Sequence, residues 1–533
     1  MIGAFSHDLS GNPPRGQRAS PNGSFALPLP YHPCEETPMP TPLTDRPNIV
    51  LITTDQQRGD CLGIDGHPVV ETPYLDELAA RGVRFRSAYS ACPQCVPARR
   101  TLLTGRTPEG HGVFNNSWMP LLDPTLPECL TAAGYHTHLA GKLHFWPRRK
   151  LYGFMSADWS DGPYGSLDGT LGDYGLFLRE NGFTHPERAV RDHGVPVNGW
   201  KARPWHLDER LHFTNWVTQK SLDFLDRRDP TVPFFLNASY FHPHGPLTPP
   251  AAYWEMYIDR DLPAPITAEW STEQTERHAG LPLESWRTVL TPEQMHRFRA
   301  GYYASITHID DQIGVLLKAL PENTIVIFTS DHGEMLGDHQ WIRKTRALEA
   351  SARIPFIVRF PKTMGIEAGQ VRDEVVELMD IMPTCLDAAG VTVPGGVDGS
   401  SLLGLVRRTT PWREFLHGEI ARQGGTDPAT GMQYLTDGKQ KYVWEPQTGR
   451  EYFFDLENDP TESHELSGDP DRAGQIAEWR ERLVARLRDR AEGFVKDGRL
   501  NPVARQPVLF AQRIIDAKRD WSRTLGITES DTL

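Results

Sequence analysis

The chain has 533 residues, 38% of them hydrophobic and 23% charged, with a formal net charge of −13 at pH 7. Such a length exceeds one compact core and predicts more than one structural unit. The acidic balance argues against a nucleic-acid partner, which calls for a basic face, but not against a small anionic substrate, because steering follows the local potential of a cleft.

Residues 1–46 are rich in Pro, Gly, Ser and Asn and read as a disordered leader. They lack the basic-then-apolar plan of a signal peptide. No apolar run reaches the length of a membrane span, so the expected location is cytoplasmic. Six cysteines (34, 61, 92, 95, 129 and 385) are too sparse for a disulfide scaffold.

Ordered sequence begins at Pro47. PNIVLITTDQQ is an apolar, β-branched run, the pattern of a strand buried on both faces. TPYLDELAARG follows, with Thr72 as N-cap, Pro73 at the first helical position and Gly82 as terminator. The same strand grammar recurs in PFFLNASYFHPH (233–244), NTIVIFTSDHGE (323–334) and ARIPFIVRFP (352–361). Roughly Gln294–Leu320 is a long amphipathic helix. Residues 47–405 therefore read as one α/β catalytic domain around a large, mostly parallel sheet flanked by helices. Stretches 150–230 and 245–290 read as irregular loops over a pocket. Residues 406–500 read as a C-terminal α+β subdomain, a small antiparallel sheet closed by a helix at 474–494. Residues 501–533 read as an arm that packs on a second copy in a homo-oligomer.

IVLITTD-Gln56 and IVIFTSD-His332 each run an apolar strand straight into an aspartate. Ligands bind beyond the carboxyl ends of strands in open α/β sheets, so Asp55 and Asp331, 276 positions apart, are expected at one edge. With Gln56 and His332 they offer three oxygen donors and an imidazole, suited to Ca²⁺, Mg²⁺ or Mn²⁺. A single Asp of this kind would more often be a turn residue. In ACPQCVPARRTLLTGR (91–106), Cys92 and Cys95 have the spacing of a redox dithiol or half a zinc site. No second pair of ligands completes a zinc site. Pro97 opens a helix, which puts Cys95 at a helix N-terminus beside Arg99 and Arg100, a place that stabilises an anion.

CVPARRTLLTGR resembles the signature of the type I sulfatases of the alkaline phosphatase superfamily, in which the cysteine of C-x-P-S/A-R becomes formylglycine. PNIVLITTDQQ and TSDHGEMLGDH are similar to the family's two metal strands. GYHTHLAGKLHF (134–145) is similar to its G-Y-x-T-x-x-x-G-K-x-H element, and HPHGP (242–246) to its histidine-bearing loop. RIPFIVRFP and YFFDLENDPTESHEL match late segments, so the resemblance spans residues 47 to about 470 in order.

The resemblance implies an alkaline-phosphatase-like fold and a hydrolase of organic sulfate monoesters, small-molecule or carbohydrate. It implies a formylglycine made from Cys95 by a formylglycine-generating enzyme, and one divalent metal, Ca²⁺ or alternatively Mn²⁺, on Asp55, Gln56, Cys95, Asp331 and His332. One hydroxyl of the hydrated aldehyde attacks sulfur, and proton loss from the other releases sulfate. Arg99 holds the modified residue, Lys142 and Lys344 bind sulfate, His244 protonates the leaving oxygen and His144 helps deprotonate the intermediate. Asn116 is a further candidate for substrate contact. Many relatives carry Asp where this chain has Gln56, and Asn or Gln where it has His332. The Asp-Gln and Asp-His pairing is similar to that of choline-sulfatase-like and phosphonate monoester hydrolase-like relatives, which keeps a phosphonate monoester or phosphodiester hydrolase open as the alternative. A Cys92–Cys95 oxidoreductase, or a binding module on a dead scaffold, is the third reading. The readings separate at Cys92. Cys92→Ser is expected to retain most ester-hydrolysing activity in a steady-state assay; loss of activity would favour the dithiol.

Overall fold

The computed structural model describes residues 45–117, 119–164, 171–272, 286, 289–421 and 431–503. The leader (described only from residue 45), the arm beyond residue 503 and much of 273–288 lie outside the described residues.

Eight strands form the main sheet: β1 (Asn48–Asp55), β2 (Val83–Phe85), β3 (His136–Gly141), β4 (Ser156–Trp159), β5 (Phe234–Pro243), β6 (Thr324–Ser330), β7 (Phe356–Arg359) and β8 (Gln370–Arg372). Their order is β4-β3-β5-β1-β6-β7-β2-β8. The five strands from β4 to β6 pair parallel, as does β2 with β8, whereas β7 runs antiparallel to both β6 and β2. The apolar run of 352–361 is thus a strand, but a reversed one. β1 sits at the centre and is buried nearly throughout, because Ile49 and Leu51 face one apolar core while Val50 and Ile52 face the other. A strand covered on both faces has no polar side to alternate with, which is why its sequence is continuously apolar.

Helix α1 (Pro73–Ala80) follows β1, and α2 (Cys95–Thr104) carries the cysteine motif. Thr72 is the N-cap of α1 by position, but its side chain does not cap it. Asp310, from the long helix at 292–319, accepts the N–H groups of Tyr74 and Leu75 instead, at 3.0 and 2.8 Å. The stretch 150–230 is not irregular throughout. It supplies edge strand β4 and a 15-residue helix, α3 (Phe213–Arg227), that buries Phe213, Trp216, Val217 and Phe224 against the sheet. The i, i+3, i+4 spacing of those residues is visible in the sequence, though the surrounding Trp, Pro and Gly obscure it. Helix α4 (Pro292–Ala319) starts earlier than its apolar pattern, at a capping box of Thr291 and Gln294.

Near the C-terminus, β9 (Leu416–Ile420), β10 (Met432–Thr436), β11 (Gln440–Trp444) and β12 (Glu451–Asp455) make an antiparallel sheet covered by α5 (Ala473–Leu487). Lys441, fully buried, ties β11 to Glu349, a few residues ahead of β7, and to Glu462, just after β12, each at 2.8 Å. Among the described residues no helix is long and apolar enough to cross a membrane.

Candidate active site

The site lies where the parallel strands β1, β3, β5 and β6 end. Thr54 pairs with Ser330 in the β1–β6 register, so the next residues, Asp55 and Asp331, emerge side by side. β3 delivers Lys142 one residue after Gly141. A Cβ on Gly141 would lie 2.0 Å from the carbonyl oxygen of Ser239, and its φ is +110°. Only glycine lets this turn close against β5. β5 runs into His244, whose N–H donates to the Asp55 carbonyl at 3.1 Å.

Helix α2 begins at Cys95 itself, two residues before Pro97. Gln94, at the N-cap, makes no side-chain cap; the Asn116 Oδ1 accepts the Val96 N–H at 2.9 Å from outside the helix. The structure thus places Asn116 beside Val96, the neighbour of Cys95, with its amide oxygen turned to the helix. Arg99 and Arg100 diverge. Arg99 points into the site, while Arg100 donates to the carbonyls of Met119 and Pro120.

Arg99 ties the centre together. Its Nε donates to Asp331 Oδ2 at 2.9 Å, Nη2 to Asp55 Oδ2 at 3.2 Å, and Nη1 to Ser239 Oγ at 2.9 Å and the Lys142 carbonyl at 3.2 Å. Lys142 Nζ donates to Asp55 Oδ2 at 2.6 Å and lies over the Phe241 ring. Lys344 Nζ reaches Gln56 Oε1 at 2.9 Å and Cys95 Sγ at 3.1 Å. His332 Nε2 is 3.3 Å from Cys95 Sγ, 3.5 Å from Asp331 Oδ1 and 3.8 Å from Asp55 Oδ1. Asp55, Gln56, Cys95, Arg99, Lys142, His244, Asp331, His332 and Lys344 are all buried together. His144 sits nearer the rim, partly exposed, with its backbone N–H held by Asp161 at 2.7 Å.

One ligand atom each from Asp55, Cys95, Asp331 and His332 lies within 4.8 Å of the others. His332 Nδ1 faces the Gly333 carbonyl at 3.0 Å, which makes that nitrogen the N–H donor and turns the Nε2 lone pair toward the carboxylates. Burial would lower the His332 pKa, but Asp331 raises it above the usual value. The position favours a cation, and the donor set fits a hard or borderline divalent metal.

Burial raises the Asp55 carboxyl, yet Lys142, His244, Lys344 and Arg99 together hold it well below the usual range. Burial and Asp55 push the Cys95 thiol up, and Lys142, Lys344 and His332 more than reverse this, leaving it well below an ordinary thiol. Two lysines and an arginine outnumber two aspartates. A chain of net charge −13 thus carries a cationic pocket for an anion. Cys92 belongs to different surroundings: its thiol faces the Phe114 carbonyl at 3.5 Å, and burial pushes its pKa well up. Both cysteines are free. Sequence reasoning missed the roles of Ser239, Asp161, Glu334 and Tyr302, which hold the named residues, although Glu334 lies inside the TSDHGEMLGDH motif.

The sulfatase family model matches residues 47–391, and the model for the C-terminal part of N-sulphoglucosamine sulphohydrolase matches residues 337–489. The chain belongs to the sulfatase family. This sulfatase is 40% identical to an arylsulfatase of Clostridium perfringens over 85% of this chain and 97% of that protein. It is 30% identical to the multifunctional alkaline phosphatase superfamily protein PehA of Trinickia caryophylli, over 83% of this chain and 95% of that one. A crystal structure of the phosphonate monoester hydrolase of Agrobacterium radiobacter matches with a TM-score of 0.71 at 25% identity, over 83% of this chain and 95% of that one. The fold is alkaline-phosphatase-like and the enzyme hydrolyses sulfate esters. The family implies a formylglycine and a divalent metal.

Removing the bridge between the two carboxylates has a calculable cost. In this sulfatase Arg99→Ala leaves buried like charges uncompensated, and is expected to destabilise the fold by about 3–5 kcal/mol in urea unfolding. A change below about 1 kcal/mol would contradict the role given to this guanidinium.

Proposed function

We propose that the sulfatase acts through a formylglycine at position 95 and that aryl sulfates are among its substrates. The observation that carries this is the meeting of Cys95 with Lys344, His332 and Asp55 at the N-terminus of α2. The Cys95 Sγ stands where the aldehyde carbon's oxygens would project. A formylglycine supplies, when hydrated, one hydroxyl to attack sulfur and a second whose proton loss frees the product, while a divalent cation supplies charge neutralisation. Conversion at Cys95 needs a formylglycine-generating enzyme as partner. Ca²⁺ suits the oxygen-rich donor set of Asp55, Gln56 and Asp331; Mn²⁺ is the second choice, favoured by the His332 imidazole and the neutral amide.

The side chains divide the work. Lys142 and Lys344 bind the sulfate oxygens and stabilise the charge that grows on them as the ester bond breaks. Arg99 bridges Asp55 and Asp331 and offsets part of their mutual repulsion. His244 Nδ1 is 2.8 Å from the Gly245 carbonyl, which assigns the working nitrogen as Nε2. Burial and Lys344 hold the His244 pKa well below the usual value in the empty site. A sulfate ester placed between the two lysines offsets their charge, so the proton that His244 gives to the leaving oxygen is stabilised by the substrate itself. His144, at the rim, accepts the proton whose loss frees the sulfate.

Among sulfate esters the aryl class is favoured because the Clostridium perfringens relative is an arylsulfatase. The second reading, phosphonate monoester or phosphodiester hydrolysis, is favoured by the Asp-Gln and Asp-His pairing and by the likeness to the Agrobacterium radiobacter enzyme. Paired assays decide between them. With 4-nitrophenyl sulfate and 4-nitrophenyl phenylphosphonate as substrates, kcat/KM is expected to be higher for the sulfate; a higher value for the phosphonate would reverse the order of the two readings.

A further inference from the structure

Gln56 is an amide among carboxylates, and an amide differs at its two ends: only Oε1 can face a cation, while the NH₂ group can only donate. The backbone of Gln56 is fixed. Its N–H donates to Asp331 Oδ1 at 3.1 Å, its carbonyl accepts from the Tyr302 hydroxyl at 2.7 Å, and its φ of +73° is one that a non-glycine residue rarely holds. What remains to be set is which end of the amide faces the site. Nε2 donates to Glu334 Oε2, and Oε1 accepts from Lys344 Nζ. Glu334 is 2% exposed, and its other oxygen, Oε1, accepts the backbone N–H of Leu336 at 2.9 Å and that of Arg343.

We propose that Glu334 is a positioning residue that sets the Gln56 amide, holding its NH₂ group away from the cation site so that Oε1 faces Lys344 and the Asp55–Asp331–His332 cluster. The inference rests on the reading of Gln56 as a metal ligand. The logic is one of donors and acceptors. A carboxylate accepts at both oxygens, so Glu334 takes two backbone N–H groups on one side and demands a donor from Gln56 on the other. A glutamine at 334 would have to keep its oxygen toward Leu336 and Arg343, because only an acceptor fits there. Its NH₂ group would then face Gln56. Gln56 would turn to meet it, and its own NH₂ group would be aimed at the Lys344 ammonium and the cation site. A carboxylate at 56 has no wrong end. Exchanging the two residues, Q56E with E334Q, therefore restores the hydrogen bonds and keeps the total charge.

The test is calorimetric titration of the chelator-stripped, full-length protein with Ca²⁺ and, separately, Mn²⁺, alongside the metal-free melting temperature. E334Q is expected to weaken binding of the better-bound metal by about ten- to a hundredfold, the range for partners of metal ligands. The exchanged pair is expected to recover most of that loss. Parent-like affinity in E334Q, or an exchanged pair as weak as E334Q, overturns the inference. Should E334Q not fold, the exchanged pair alone decides: parent-like affinity upholds the inference and weak affinity overturns it. Q56A separates the two levels. If Q56A binds metal like the parent, Gln56 is not a ligand and both readings fall. If Q56A is weak while E334Q is normal, only the role of Glu334 falls.

Discussion

Two carboxylates leave adjacent parallel strands side by side, in a place from which water is largely excluded, and the rest of the site follows from holding them there. Two like charges about 4 Å apart repel by about 4 kcal/mol at an effective dielectric near 20. Arg99 answers this with a planar guanidinium that contacts both Asp55 and Asp331 and spends its remaining donors on Ser239 and the Lys142 carbonyl. A lysine has no such fork and could not bridge both in this geometry. Because Arg99 is one turn into α2, the same contact fixes the start of that helix, and with it Cys95.

The arrangement also reconciles an acidic protein with an anionic substrate. One oxygen of Asp55, Oδ2, is shared by Lys142 and Arg99, and Lys344 is shared by Gln56 and Cys95. Strong internal pairing keeps the lysines close to the reacting position rather than free in solvent. The two lysines lower the Cys95 thiol against the effect of burial, whereas at His244 burial comes first and Lys344 adds to it. Gln56 brings an amide rather than a third carboxylate to this place, and its NH₂ group donates to Glu334 while its oxygen accepts from Lys344.

Much of this was legible in the sequence because the chemistry sits in unbroken motifs at strand ends. Asp55 with Gln56, Asp331 with His332, and His244 follow apolar runs that read as buried strands, and sheet topology brings such ends together; Lys142 follows HTHLAG, which is not an apolar run, and was legible only through the family resemblance. The cysteine motif pointed to the helix that starts near Cys95 but not to the divergence of Arg99 and Arg100, which depends on which face of α2 meets the sheet. The antiparallel course of β7 was hidden as well, since an apolar run carries no direction. Helix α3 was missed inside a stretch whose Trp, Pro and Gly mask its period. Ser239, Asp161, Glu334 and the Asp310 cap on α1 were beyond sequence reasoning for a different reason: each acts through a partner that folding, not local pattern, brings near, and even Glu334, inside the TSDHGEMLGDH motif, shows nothing there of its bond to Gln56.

The measurement that tests the central claim most directly is a peptide mass spectrum covering Cys95, taken on protein co-expressed with a formylglycine-generating enzyme. The account predicts the mass loss of thiol-to-aldehyde conversion at Cys95, with Cys92 left as a thiol. An intact thiol at Cys95 in a sample that hydrolyses sulfate esters would contradict it.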